Sequence, residues 1–352
     1  MLNLKSALES VAGKINGLIA QSTFPEAVTP AYLATAMRSY PEVGGKRLRP
    51  AILLWSVCAA GGDMEKALPA AAALEIFHNW TLVHDDIIDD DNVRRNLPTA
   101  HVVLADAISL PEKRRKKFGC DMAVLAGDLM QGWAFDFIDQ TECSAALKLK
   151  LASELRQYGY IKLVSGEAVD VEMSYRAPGE VTIGEMLAMQ IGKTGALLHY
   201  AARAGWMLGK GYPEAWDEPE ALALGRFGDE LALAFQLRDD YLGIFGELKN
   251  FGKPIGSDLQ EGKATLLLIH ALEHLPDAEK EQLHQLLYRA SYTPADIALA
   301  RELFKQSGSV ELMLEAIEQH SAAAIAALDE LPESNGQKLL KNLTCVLINR
   351  EK

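Results

Sequence analysis

Five aspartates fall within positions 85–91 of the stretch LVHDDIIDDDNVRR (82–95), behind an apolar run and ahead of two arginines. Like charges packed this tightly repel one another, so the segment needs a source of compensating positive charge. If the run before them is helical, Asp85 and Asp89 lie four residues apart and project from one face. Asp86 and Asp90 then form a neighbouring stripe. Paired carboxylates at that spacing hold hard divalent cations, and Mg2+ takes a few of them and completes its shell with phosphate oxygens and water. The bland alternative is an exposed acidic helix end. It sets negative charge against the helix macrodipole, a penalty that a bound cation would remove.

A second cluster tilts the balance towards the cation. ELALAFQLRDDYLGIFG (230–246) again runs an apolar helix into adjacent acids, Asp239 and Asp240. In a helix bundle, such pairs can face each other across a core cavity and share metal ions with a diphosphate. The basic residues suit that anion. Lys46 and Arg49 lie in GGKRLRP (44–50), Arg94 and Arg95 follow the first cluster, Lys193 and Thr194 interrupt an apolar helix, and Lys253 and Lys263 follow the second cluster. Arginine forks onto phosphate oxygens and lysine supplies a point charge. Singly, each reads as a surface cation. Together they would neutralise two diphosphates.

The elements that must position these residues are helices. The chain has 352 residues and a net charge of −13, which argues against a nucleic-acid binder. Nearly half its residues are hydrophobic, with Ala, Leu, Glu, Lys and Gln filling long windows and no alternating runs of Val, Ile and Thr. The periodicity predicts helices over 4–20, 30–38, 46–60, 65–90, 121–141, 144–174, 183–208, 218–246, 262–275, 278–290, 294–305, 309–331 and 335–350. Thr182 and Glu185 fit a capping box, and Thr293-Pro294 fits an N-cap followed by a first-turn proline. PEKRRKKFG (111–119) reads as a solvated, charged loop, and 247–264 as a loop between helices. Cys58, Cys120, Cys143 and Cys345 are dispersed, as thiols of a reducing compartment are. Residues 1–20 lack the pattern of a secretory signal, and no apolar run is long enough to span a membrane. These features predict a soluble, cytoplasmic, all-α chain forming one large domain over 1–352.

With these motifs in view, the sequence resembles the trans-isoprenyl diphosphate synthases, the polyprenyl synthetase family. The matching segments occur in the family's order: GGKRLRP (44–50), EIFHNWTLVHDDIIDD (75–90), RR (94–95), LAGDLM (125–130), GKTGAL (192–197), FQLRDD (235–240) and GKPIGSDLQEGKAT (252–265). The resemblance implies an all-α bundle around a deep central cavity, working as a homodimer. It implies that Asp85 and Asp89 ligate two Mg2+ with Asp86 and Asp90 in support, and that Asp239, beside Asp240, ligates a third. Arg94, Lys193, Lys253 and Lys263 would clamp the diphosphate of an allylic substrate. Isopentenyl diphosphate would sit on Lys46, Arg49, His78 and Arg95. Departure of diphosphate leaves an allylic cation, faced by Phe235, Gln236 and Thr194 and attacked by the isopentenyl double bond. Loss of a proton to the released diphosphate then gives a chain five carbons longer.

Two departures stand out. The second motif ends at Gly243 where many members carry a third aspartate, and Asn96 replaces the glycine that usually follows the paired arginines. The segment 106–119 is also longer than the family norm. Product length should depend on what blocks the cavity below the first cluster, at about 5.4 Å per helical turn. Phe77 and Trp80 stand there, with the small Thr81 beside them. Ordinary core packing would also explain two aromatics, but in this family an aromatic five residues before the first motif marks a C20 product. Geranylgeranyl diphosphate is therefore expected, with farnesyl diphosphate the alternative. A non-catalytic homologue, a terpene cyclase and an acidic interaction protein are the rival classes. The first would have shed a metal-binding acid, the second has no use for Lys46, Arg49 and Arg95, and the third has no use for the ordered basic motifs.

Overall fold

The computed structural model describes residues 3–246 and 255–348. They are helical almost throughout, in keeping with the all-α expectation. The exception among them is a small antiparallel hairpin, Val93–Arg94 paired with Leu97–Pro98. Its turn residues Arg95 and Asn96 both take left-handed backbone, at φ 52° and 62°. That is the conformation a two-residue hairpin turn demands, and asparagine tolerates it where glycine is more usual. The chain divides into two compact units. The first comprises Met1–Glu154, Ala201–Leu222 and Pro332–Leu340; the second comprises Leu155–Tyr200, Ala223–Leu331 and Lys341–Lys352.

The first unit is organised around the Leu68–Ile88 helix. A proline in its first turn suits a helix start, and Ala70 to Ala73, Leu74, Ile76, Phe77, Trp80 and Val83 are all buried. A helix apolar on nearly every side belongs in a core. It packs most broadly on Glu112–Gln140 and also on Leu48–Ala59. Burying Phe77 and Trp80 supplies on the order of 2–3 kcal/mol each. The crossing is close at Gly127, where a Cβ would lie 2.3 Å from His84 Nε2 and 3.2 Å from Trp80 Cδ1, so the His84 ring would have to shift.

That helix ends earlier than its sequence pattern suggests. Asp90 adopts φ 55°, the Asp91 N–H reaches the Asp86 carbonyl at 3.0 Å, and the Asp90 N–H reaches that of Ile87 at 3.4 Å. These two bonds form a Schellman motif, with aspartate in the place usually held by glycine. The expected stripe of Asp86 and Asp90 therefore does not form. A second correction concerns 111–119, which is not a loop: helix Glu112–Gln140 starts there, after Pro111. Its basic run is helix-compatible and braced by Arg115–Glu112 and Lys117–Asp121, each at 2.8 Å.

The second unit packs a core of leucines and methionines from Leu266–His274, Pro294–Gln306 and Ser309–Asp329 around Met186, Met189, Ala234 and Leu237. The capping box at Thr182 and Glu185 forms as read, and Thr293 caps Pro294–Gln306 with Asp296 as its partner. The two long helices expected over 144–174 and 183–208 are each interrupted by a wide π-turn, Arg156–Leu163 and Ile191–Gly195. Such turns occur often at functional sites, because one extra residue per turn re-aims side chains. The second π-turn carries Lys193 and Thr194.

Candidate active site

In the first unit the acids part company. Asp86 is fully buried; the Tyr40 hydroxyl donates to its Oδ2, and Arg94 Nε donates to its Oδ1 at 2.7 Å. Arg94 also reaches Asp85 Oδ2 at 3.1 Å. Burial opposes the charge on Arg94, and the hydrogen bond and charge of Asp86 more than reverse this, holding its pKa above the ordinary value. Asp85 keeps about a fifth of its side chain exposed, and Asp89 is exposed. Asp90 turns away to Lys116 at 2.6 Å, a hydrogen bond that keeps its pKa low. Asp85 is thus partly accessible to solvent and Asp89 exposed, while the buried Asp86 anchors an arginine.

A basic cradle lies further back along the same helix. Arg49 Nη1 meets His78 Nε2 at 3.1 Å. Arginine can only donate, so Nε2 accepts and the ring hydrogen sits on Nδ1. Burial and the charges of Arg49, Arg95, Arg94 and Arg47 depress the His78 pKa well below the usual histidine value, leaving a neutral imidazole near pH 7. Arg49 Nε is buried and has no hydrogen-bond partner, which suits a site built for an anion. Arg95 donates to the Gly44 carbonyl, and its guanidinium lies so close to Gly45 that a Cβ there would stand 3.1 Å from Nη2. Lys46 is exposed on the same segment. Arg47, by contrast, is turned inward by a left-handed φ of 49° and spent on Glu75 at 2.5 Å and Asn16 at 2.9 Å. His78 precedes Asp85 by seven residues, or about 10 Å of helical rise.

The expected floor residues sit on the same helix, Phe77 just before His78 and Trp80 and Thr81 just after it. Phe77 and Trp80 are buried and meet edge to face at 4.7 Å, and Trp80 makes a similar contact with His84 at 5.7 Å. The Thr81 hydroxyl donates to the His78 carbonyl at 2.7 Å.

The second unit repeats the division of labour. Asp240 is buried and accepts from Gln190 at 3.2 Å, Gln236 at 3.0 Å and Lys263 at 3.2 Å. The Asp240 charge raises the Lys263 pKa above that of an ordinary lysine, against the effect of burial. Asp239 and Phe235 are half-buried on the same helix, Pro219–Phe245. Thr194, Lys193, Gln236 and Lys263 share a cavity of about 70 Å³ with Asp170 and Gln190. Lys193 Nζ lies 2.6 Å from Asp170 and 2.8 Å from Glu167. The π-turn that presents it is held by a close backbone approach: a Cβ on Gly166 would lie 2.3 Å from the Lys193 nitrogen. Lys253 lies outside the described residues.

Gly243 has a local explanation. A Cβ there would stand 3.0 Å from Asp258 Oδ2, so a carboxylate from the Ser257–Glu261 helix already occupies that neighbourhood. Tyr40, Glu167, Asp170, Gln190 and Asp258 were not singled out as site residues from the sequence. Only Asp258, inside GKPIGSDLQEGKAT, carried a local signal. Among the described residues, no three His, Cys, Asp or Glu side chains converge as a ready-made metal cage. No helix among them is long and apolar enough to cross a membrane, and the four thiols are unpaired.

Comparison with known proteins places the chain in one family. The family profile described as polyprenyl synthetase matches residues 30–304. A geranylgeranyl diphosphate synthase of Saccharolobus solfataricus is 36% identical over 88% of this chain and 87% of its own length. The crystal structure of a geranylgeranyl pyrophosphate synthetase from Pyrococcus horikoshii superposes with a TM-score of 0.85 at 32% identity, covering 98% of this chain and 99% of that one. A Corynebacterium glutamicum geranylgeranyl pyrophosphate synthase, solved with isoprenyl diphosphate and magnesium, gives 0.83 at 27% identity over 99% and 100% of the two chains.

Proposed function

Because the chain belongs to the polyprenyl synthetase family, we propose that it condenses isopentenyl diphosphate head to tail with an allylic diphosphate, giving geranylgeranyl diphosphate. One observation carries this reading. A single helix presents a neutral histidine among arginines and, about 10 Å further on, a pair of solvent-accessible carboxylates. One centre suits a bare diphosphate, and the other suits a diphosphate delivered with metal.

The donors suit Mg2+: Asp85 and Asp89 in the first unit and Asp239 in the second each offer hard carboxylate oxygens. Three such ions, as the family resemblance implies, would neutralise the departing diphosphate as its bond to carbon breaks. The chain's own residues do the rest. Arg94, Lys193 and Lys263 are each held by a carboxylate, so they are oriented before substrate arrives. His78 Nδ1–H, Arg49, Lys46 and Arg95 bind isopentenyl diphosphate, whose diphosphate stays intact. Thr194 and Phe235 line the approach to the allylic carbon. Gln236 is tied to Asp240, which limits its freedom to serve the same carbon.

Trp80, with Phe77 beneath it, sets the depth available to the growing tail and supports C20 rather than longer products. The reading includes a single catalytic domain in a cytoplasmic homodimer; half-exposed Leu125 and neighbouring Val124 on helix Glu112–Gln140 support self-association. Purified protein incubated with Mg2+, dimethylallyl diphosphate and labelled isopentenyl diphosphate should give a C20 diphosphate by chromatography. A product needing no isopentenyl diphosphate would instead indicate a cyclase. Trp80→Ala should lengthen the product; an unchanged product distribution would remove Trp80 from the floor.

A further inference from the structure

The Tyr40 hydroxyl belongs to none of the motifs that carry the proposed reaction, yet it closes a buried network at the first acidic motif. It donates to Asp86 Oδ2 and accepts from the Ala100 N–H at 3.2 Å. Asp86 passes its other oxygen to Arg94 Nε at 2.7 Å, and Arg94 extends to Asp85 at 3.1 Å. The Tyr40 ring is itself only 8% exposed, and it walls a small cavity with Leu82, Arg94 and Arg95.

Arg94 stands on a strand of two residues beside a left-handed turn. A hairpin that short is a poor foundation for a long side chain, so the guanidinium must be oriented by what it touches. Asp86 can orient it only while its own carboxylate is fixed, and a buried carboxylate keeps one orientation when both oxygens have partners. Tyr40 supplies the second partner. It also ties the carboxylate to the first residue of the Ala100–Ala105 helix, just past the hairpin.

We propose that Tyr40 is a positioning residue which, acting through Asp86, fixes Arg94 in the orientation that grips the allylic diphosphate. This rests on the reading of Arg94 given above. The hydroxyl touches no substrate; its effect is transmitted through one carboxylate.

Tyr40→Phe tests it, since phenylalanine keeps the ring in its buried slot and removes only the hydroxyl. A lost hydrogen bond to a charged group is worth about ten-fold in an equilibrium. The KM for the allylic diphosphate should rise by about that factor, and binding of an unreactive allylic thiolodiphosphate should weaken to match. The KM for isopentenyl diphosphate, which uses Arg49, His78 and Arg95, should stay within about two-fold. Asp86→Asn should show the same asymmetry, and adding Tyr40→Phe to it should make little further difference, because both act along one chain of contacts. Equal rises for both substrates overturn the proposal. So does a lowered melting temperature with unchanged KM and unchanged analogue binding, which would make Tyr40 a folding residue only. A wild-type protein that binds the analogue but makes no product would remove the condensation reading alone, and the binding comparison would still decide the role of Tyr40.

Discussion

The two acidic motifs solve one problem with different material. In each, the inner aspartate of an adjacent pair is buried and holds a cation: Asp86 holds Arg94, and Asp240 holds Lys263. In each, the outer aspartate, Asp85 or Asp239, is more open. The motifs differ one turn later. The first continues to Asp89, exposed at the helix end; the second reaches Gly243, and Asp258 arrives there from a separate short helix. Adjacent aspartates are therefore not equivalent: the buried one holds an arginine or lysine, and its neighbour, under the function proposed above, would meet the ion.

The largest break in this comparison should come from the outer acids. Asp85→Ala and Asp239→Ala are each expected to lower kcat/KM by about 10³-fold or more, measured by labelled isopentenyl incorporation. Gly166→Ala comes next. Its new methyl group would collide with backbone at Lys193, which cannot rotate aside, and a displaced catalytic cation can cost on the order of 10²-fold. Steady-state assays should show that loss in kcat. Gly243→Asp sharpens the comparison further. If the second motif merely lacked an acid, the change would raise activity; with Asp258 already nearby, a fall of about three- to ten-fold is expected from like-charge crowding.

The smallest effect lies away from both motifs and serves as a control. Hydrogen bonds from the Thr182 backbone and side chain lower the Glu185 pKa from 4.5 to about 2. Its stabilising contribution is therefore complete above pH 4.5 and lost as pH falls towards 2. Thermal melts of Glu185→Ala and wild type should differ at pH 7 and converge at the acid end, without change in KM for either substrate.

Much of this was legible because it is local. Thr182 and Glu185 lie three apart, and the helix face bearing Asp85 and Asp89 follows from the backbone period. What could not be read depends on distant partners. Arg47 and Arg49 look equivalent within GGKRLRP, yet a left-handed backbone sends Arg47 inward to Glu75, while Arg49 remains with His78. Asp86 and Asp85 look interchangeable until Tyr40, forty-six positions earlier, claims one of them. The segment 111–119 reads as a loop because its charge density outweighs its helix-forming residues, yet helix Glu112–Gln140 begins there. The π-turns leave no mark in an apolar pattern, since one inserted residue barely shifts its period. Glycines 166 and 192, which let the backbones meet there, are the nearest thing to a signal.

The Leu68–Ile88 helix works as a fixed-length spacer. Its hydrogen-bonded rise, rather than any loop, sets how far the anion cradle at His78 lies from the ion-accepting acids. If Phe77 and Trp80 do floor the tail's space, as proposed, those side chains could grow or shrink while that separation stays constant. Adding a single residue between 78 and 85 would be another matter: it would swing the acids about 100° around the axis and leave both charge centres intact but misaligned. Side-chain size on this helix can drift; spacing cannot.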